Sequence, residues 1–353
     1  MKESFAELHA RYPYDRDERA WLAYGTFEDA IANAGDLHLQ TDPMAYLENI
    51  RSSDYKRAAD INRALLFLPP QVVIDSLGEE VALWASIASD ISGYSDDMDA
   101  TLEEKLGYSM KDIEIARGFN YRKQLMRESV PGVLAQYSLM QAVRSDAVAN
   151  IDLPAILQDS AKEGIELSSS RVDDYALIPI EAENYNTYYD GGHIKGWDDD
   201  EEKGIGYSSW IDTPTGFALT YKGIPNAIAG LAMHSTDTVM IHQLQGVKAN
   251  RIDPSKSVYS KERVLGKISS RGLMPLDWQK VMVQTAEQVT RTLDIPKAGI
   301  LASENNVWTK KRFRTDTVPH ITLEQAANAY DKPAERLGYV RDKTKQNNWK
   351  KQL

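Results

Sequence analysis

Between Phe217 and Gly246 the chain alternates short apolar runs with tight turns, and no other stretch restricts the possible folds as much. Gly216-Phe217-Ala218-Leu219-Thr220-Tyr221 leads into a Lys222-Gly223 turn. Ala227 to Met233 follows, then a turn at Ser235-Thr236-Asp237, then Val239 to Leu244. Runs of this length, bounded by turn residues, predict an antiparallel meander of three strands. A helix is expected from near Pro275, since Trp278, Met282, Ala286, Val289 and Leu293 recur on one face at helical spacing. Asp294-Ile295-Pro296 ends it, and Ala298-Gly299-Ile300-Leu301-Ala302 reads as a buried strand. A meander followed by helix, strand and helix is an α+β arrangement.

The first part of the chain has a different character. Residues 1 to about 168 carry almost no period-two alternation and read as helical. Trp21, Leu22, Phe27, Ala30 and Ile31 recur at helical spacing, and a second segment from Pro43 to Leu66 stops at Pro69-Pro70. Val73, Leu77, Val81, Trp84 and Ile87 form an apolar stripe, and Ser109-Met110-Lys111-Asp112 resembles a capping box. Pro131-Gly132 interrupts the pattern before Val133 to Ala147. Near Ser168 the chain changes, and Tyr175 to Ile180 is short, apolar and strand-like. The expected division is therefore a helical region at 1–168 and an α+β domain at 169–353. Within the latter, the polar, aromatic and Gly-rich stretch from Asn184 to Thr215 reads as one long loop.

Composition narrows the classes. At 353 residues, with 42% hydrophobic and 26% charged residues, the chain can bury a sizeable core. No apolar run approaches the roughly 18 residues that span a bilayer, and Met1-Lys2-Glu3-Ser4-Phe5 lacks the order of a secretory signal. The absence of cysteine removes disulfides, thiolate nucleophiles and Cys-ligated zinc. A cytoplasmic protein with no membrane segment is the expectation. The six histidines, His9, His38, His193, His234, His242 and His320, form no i, i+4 pair, so no metal site is expected. Asp198 to Glu202 lacks calcium-loop spacing and reads as a solvated acidic turn. The net charge of -11 opposes wholesale coating by nucleic acid. From Trp308 onward, however, eleven Lys or Arg stand against five Asp or Glu, so this end carries +6 and the preceding residues -17, which reads as a local anion site, an intramolecular electrostatic contact or a solvated basic tail. Lys310-Lys311-Arg312-Phe313-Arg314 and Arg341 to Lys351, with Phe313 and Trp349 interleaved, are the elements that favour single-stranded nucleic acid. The acidic body repels long polyanions and so opposes that partner.

The element order from about residue 170 resembles the GCN5-related N-acetyltransferase (GNAT) family. The pieces that carry the resemblance are Ile224 to Leu231, Val239-Met240-Ile241-His242-Gln243-Leu244-Gln245-Gly246, the helix from Leu276 and the strand at Ile300. Ala334-Glu335-Arg336-Leu337-Gly338-Tyr339 supplies a closing Gly-aromatic step. The resemblance implies a GNAT-like mixed sheet flanked by helices and a splayed central strand. It also implies direct transfer of an acyl group from acetyl-CoA or another acyl-CoA to an amine, with no covalent enzyme intermediate. The family's phosphate loop reads Arg/Gln-x-x-Gly-x-Gly/Ala, whereas this chain has Lys267-Ile268-Ser269-Ser270-Arg271-Gly272-Leu273-Met274 before the helix. Gln243-Leu244-Gln245-Gly246 begins such a motif but continues into Val247-Lys248.

On that basis the resemblance assigns Leu244, Gln245, Gly246, Arg271, Gly272 and Asn305 to cofactor binding. Tyr330 is the candidate acid for the leaving thiolate and Glu304 the candidate base for the incoming amine. The family's tyrosine usually sits four residues before the glycine, where this chain has Ala334; Tyr330 lies one turn earlier. The alternative reading is a non-enzymatic interaction protein on the same fold, with the helical region docking a protein partner. The acyl-CoA and an amine acceptor are the partners of the first reading, and the loop from Asn184 to Thr215 is the expected wall of the acceptor pocket.

Overall fold

A computed structural model describes residues 65–66, 70–88, 95–122, 130–182, 192–194, 205–207, 210–247, 249–251, 271–306, 309, 321–343 and 347–353. Two compact units, Met1–Ser138 and Leu139–Leu353, divide the chain. The expected helices before Leu65, most of the 184–215 loop, the acidic run at 198–202 and Lys310 to Arg314 lie outside the described residues.

In the first unit α1 (Pro70–Leu77), α2 (Glu79–Ala88), α3 (Asp96–Leu106) and α4 (Met110–Arg122) pack together. The apolar stripe from Val73 to Ile87 is fully buried, but it is broken at Gly78, whose φ of +98° suits glycine and ends α1. Every residue of α2 from Val81 to Ala88 is buried, so this helix is the centre of the unit rather than an amphipathic face. Burying Asp99 there is tolerated because Arg117 pairs with it at 2.6 Å and the Ser86 hydroxyl donates to it. At the start of α4 the Ser109 hydroxyl accepts from the Asp112 amide at 3.3 Å, the bond that the capping pattern predicts.

The division between units falls within α5 (Val130–Ala142). A π-helical turn at Val143–Ala147, α6 (Leu153–Asp159) and α7 (Ser169–Val172) then precede the sheet. The sequence changes character at Ser168, whereas the contacts group everything from Leu139 with the sheet. The π-turn packs on the strands Tyr175–Glu181 and Thr215–Tyr221, and α6 packs on the long helix Trp278–Thr292.

Seven strands make the sheet: β1 (Tyr175–Glu181), β5 (Thr215–Tyr221), β6 (Ile224–Ser235), β7 (Thr238–Gly246), β9 (Lys297–Ile300), β10 (Val340–Arg341) and β11 (Trp349–Gln352). Their spatial order is β1-β5-β6-β7-β9-β11-β10. All neighbours are antiparallel except β7 and β9, which run parallel. Two-stranded pairs form between β2 (Gly192–His193) and β4 (Trp210–Ile211), and between β3 (Ile205–Tyr207) and β8 (Ala249–Arg251). The parallel step needs a crossover, and α8 (Trp278–Thr292) supplies it, packing on β6, β7 and β9. The helix is capped by Asp277, whose carboxylate accepts from the Lys280 amide at 3.3 Å. After β9 come α9 (Leu323–Ala329) and α10 (Asp331–Arg336). Of the basic end, the described residues include β10 and β11, whose cations make the intramolecular contacts that are one of its expected roles. Lys351 meets Glu287 at 2.8 Å, Lys350 meets Asp342 at 3.0 Å and Arg341 meets Glu304 at 2.9 Å. Trp349 is buried, with Arg341 stacked 4.2 Å over its ring. Its indole is therefore not displayed for base stacking. No described helix is long and apolar enough to cross a membrane.

The β6–β7 turn is pinned by one carboxylate. Asp237 accepts from the Ser235 hydroxyl at 2.6 Å and the Thr238 hydroxyl at 2.8 Å, and the Lys297 ammonium at the start of β9 pairs with it. Lys297 above all, then these hydroxyls, hold the Asp237 carboxyl well below the usual carboxylate range. A depressed folded-state pKa stabilises the fold above the unfolded carboxyl's pKa, and that contribution is lost as pH falls through the folded value. Asp237→Asn is expected to lower the urea midpoint at pH 7 and to shrink the difference between pH 7 and pH 3; an unchanged difference would show that the turn is held without this charge.

Candidate functional site

Where β7 leaves β9 the sheet opens. The parallel pairs run from Thr238–Lys297 to Ile241–Ile300, and the last bond is the Leu301 amide donating to the Ile241 carbonyl at 2.9 Å. The chain beyond β9 then turns into a 3-10 segment at Ser303–Asn305, while β7 continues to Gly246. A bulge sits at the same point. Gly230 pairs with Gln243 and Leu231 with Ile241, so His242 is the extra residue on β7. The register of β7 on β6 is thus interrupted at His242, one residue beyond its last pair with β9.

Tyr330 fills the mouth of this wedge. Its hydroxyl accepts from the Leu244 amide at 3.4 Å, a backbone donor left without a strand partner by the splay. The side chain is only 4% exposed. It is placed by the junction of two helices: Tyr330 closes α9, its carbonyl begins α10, and Gln279 in the first turn of α8 donates to the carbonyls of Asn328 and Ala329. This break between α9 and α10 is what lets a tyrosine one turn earlier than Ala334 reach the strand. Burial, and then the negative charge of Asp212, push the phenol well above its usual range; the Leu244 amide and the Asn306 side chain oppose the shift. Tyr330 is consequently protonated at neutral pH and presents a hydroxyl that can donate to an anion formed beside it.

Asp212 is a residue that motif reading missed, since it lies in a loop with no pattern around it. The turn after β4 is held against β6 and β7 by two contacts. The Asp212 amide donates to the Gln243 side-chain oxygen at 3.0 Å. Thr213, whose hydroxyl donates to the Thr215 carbonyl at 2.8 Å, sits where a side chain on Gly230 would be: a Cβ there would lie 2.5 Å from the Thr213 oxygen. Gln243 in turn donates to Gln245 at 2.9 Å, so a line of side-chain amides runs along β7.

The other sequence candidates occupy three places. Gln245 and Gly246 lie at the exit of β7, Gln245 exposed and Gly246 half-exposed. Gly272 is packed under the β5–β6 hairpin: Tyr175 donates to its carbonyl at 2.6 Å, and a Cβ would stand 2.1 Å from the Asn226 side-chain amide and 2.7 Å from the Tyr221 Cβ. Arg271 beside it is exposed, with its carbonyl bonded to Arg171 at 2.8 Å. Lys267 to Ser270 lie outside the described residues. Glu304 and Asn305 stand at the far side of the wedge, each tied to the C-terminal strands. Glu304 pairs with Arg341, and Asn305 donates to Asn348 at 2.8 Å. The Ser303 amide donates to the carboxylate of Asp331 at 3.1 Å, next to Tyr330, so Glu304 and Tyr330 flank one corner. Of the two catalytic candidates, only Tyr330 reaches the open edge of β7.

A cleft of about 730 Å³ lies at the first turn of α8, lined by Lys162, Lys280 and Arg336 among acidic neighbours. The acids compensate two of the three cations: Arg336 pairs with Asp277 at 2.6 Å and Lys280 with Asp159 at 3.0 Å. Lys162 donates to the Met274 carbonyl at 2.7 Å. Among the described residues no group of His, Asp and Glu is arranged to hold a metal ion. No family model, no curated protein and no solved structure matches this chain.

Gly272→Ala tests the packing role. It is expected to cost about 1–3 kcal/mol in urea denaturation, because the added methyl meets the Asn226 amide and the Tyr221 backbone-linked carbon rather than a flexible tip. A loss below the error of the measurement would mean that the turn is free to move aside.

Proposed function

We propose that residues 139–353 carry an acyl-CoA-dependent N-acyltransferase of the GNAT type, transferring an acyl group directly to an amine. The observation that carries this reading is the Leu244 amide, which lies on β7 beyond its last pair with β9 and is met there by the buried hydroxyl of Tyr330. An extended acyl thioester arm laid along that edge takes the Leu244 N–H from the Tyr330 hydroxyl for its own carbonyl, the exchange that stabilises charge on the oxygen as the bond to nitrogen forms. Tyr330 is then positioned to donate to the departing sulfur. Support also comes from strand order, with α8 crossing between the parallel pair and the last strand inserted beside β9. Around the start of α8 stand Lys162, Lys280 and Arg336, each engaged within the chain, and Arg271 lies exposed just before that helix for the cofactor's phosphates.

One observation favours the alternative, a non-enzymatic protein that binds a partner through its helical region. The N-terminus of α8 already holds a carboxylate, Asp277, which is paired with Arg336. Phosphates must displace that pair or lie beside it.

Calorimetric titration with acetyl-CoA separates the two readings. Saturable binding, weakened about tenfold in Arg271→Glu (roughly 1.4 kcal/mol), supports the acyltransferase; no heat and no thermal shift at millimolar cofactor sinks it and turns the search to protein partners. Tyr330→Phe is expected to bind acetyl-CoA as the parent does and to lower kcat by about 10²-fold, the usual effect of losing one donor at a developing anion. A variant with unchanged turnover would remove Tyr330 from the reaction.

A further inference from the structure

Tyr330 is fixed by the residues on either side of it. Its own backbone, at φ -119° and ψ -55°, forms the bend between α9 and α10, so where its side chain points depends on how those two helices are held. Gln279 grips the carbonyls of Asn328 and Ala329 on one side. On the other side stands Asp331, the first residue of α10, whose carboxylate gathers donors from well-separated parts of the chain. Its Oδ1 accepts from the Ser303 amide at 3.1 Å and the Trp349 indole at 2.8 Å, and pairs with the Arg341 guanidinium at 3.3 Å. Its Oδ2 accepts from the Ser303 hydroxyl at 2.5 Å. Bonds to an ionised acceptor are roughly twice as strong as neutral ones. The donors are themselves anchored: Trp349 is buried with Arg341 stacked on it, and Asn348 beside it accepts from the Ala302 amide at 3.0 Å. A carboxylate that served only the start of α10 would be satisfied by the free amides of that helix. These bonds instead tie the first turn of α10 to the segment after β9 and to the C-terminal hairpin, while the hydroxyl one residue earlier meets β7.

We propose that Asp331 is the positioning residue of Tyr330: through Ser303 and the C-terminal hairpin it sets where the hydroxyl stands on β7, and so how well Tyr330 serves the reaction. The effect on the reaction rests on the acyltransferase reading, whereas the placement rests on the bonds just given. Asp331 touches no reacting atom in this account and acts through its neighbour alone. Trp349 and Arg341 belong to the C-terminal hairpin, so the site is completed only when the last strands of the sheet are in place.

The test reads the Leu244 amide directly, by hydrogen exchange in the isotope-labelled full chain. The reference is the amide of Met240, deeper in the same strand, where β7 is paired on both sides. In Asp331→Ala the Leu244 amide is expected to exchange about tenfold faster, as in Tyr330→Phe, with Met240 unchanged. Asp331→Asn keeps an oxygen for the Ser303 amide and the indole, and is expected to recover most of the protection. Equal acceleration at Leu244 and Met240 would reveal a loss of overall stability alone and overturns the assignment. So does a Leu244 rate equal to the parent's. If Asp331→Ala fails to fold, Ser303→Ala, which removes only the hydroxyl bond, gives the same comparison: a smaller acceleration confined to Leu244 supports the placement and none overturns it. Turnover is then measured with acetyl-CoA and spermidine, tryptamine or a lysine-containing peptide, scored by release of free thiol. Asp331→Ala is expected to lower kcat by the factor found for Tyr330→Phe at the parent's KM for acetyl-CoA, and the double variant to lose no more. Losses that multiply would separate Asp331 from Tyr330 and sink the proposal. A parent protein that does not bind acetyl-CoA defeats the acyltransferase reading instead, and the exchange rates still decide the placement.

Discussion

The parting of β7 from β9 governs everything that follows it in the structure. Two parallel strands that stayed paired would consume each other's amides and leave no polar edge inside the sheet. Here pairing stops at Ile241 and Ile300, where β9 ends while β7 runs on to Gly246. A buried amide without a partner is costly, on the order of 1–3 kcal/mol, so the opened edge demands a replacement. Tyr330 provides one for Leu244, and its own burial follows from that duty. The break between α9 and α10, the grip of Gln279 on the end of α9 and the bond between Ser303 and Asp331 all serve to hold that tyrosine at the strand.

The edges of this region are built from pairs of opposite charge rather than from apolar packing. Asp277 with Arg336, Asp159 with Lys280, Glu304 with Arg341 and Asp237 with Lys297 each join elements far apart in sequence. Partly exposed pairs of this kind stabilise modestly, about 0–1 kcal/mol each, but they fix which element lies beside which. They also mean that an anionic ligand at the start of α8 meets cations already engaged with carboxylates.

Much of this was legible in the residues. The meander, the crossover helix and the strand after it follow from alternation, from the apolar spacing of Met282, Ala286 and Val289, and from Asp294-Ile295-Pro296 as a stop. Gly78 was harder to read, because an apolar stripe that runs through it looks continuous although the backbone turns there. The C-terminal strands were hidden by charge: the basic end is open in sequence to an anion site, an intramolecular contact or solvent, and in the structure Lys350 and Lys351 each find a carboxylate while Trp349 beside them supplies the burial. Tyr330 stands one turn earlier than the family pattern before Gly338, and the helix break that brings it to β7 has no sequence signature of its own. Asp212 could not be found at all from spacing. Its position depends on Gln243 and on the space over Gly230, contacts between segments about 15 to 30 residues apart that only the folded chain brings together.

The placement of β11 has a consequence for synthesis. It lies between β9 and β10 although it is made after both, so β9 has no neighbour on that side until the chain has emerged past Gln352. At about 5–20 residues per second on the ribosome, the interval from Ile300 to Gln352 is roughly 3–10 s. During it the Lys297–Ile300 edge is an open template for another strand. The lysine that begins this short strand is well suited to discourage a wrong neighbour in that interval, before Trp349 to Gln352 arrive to cover it.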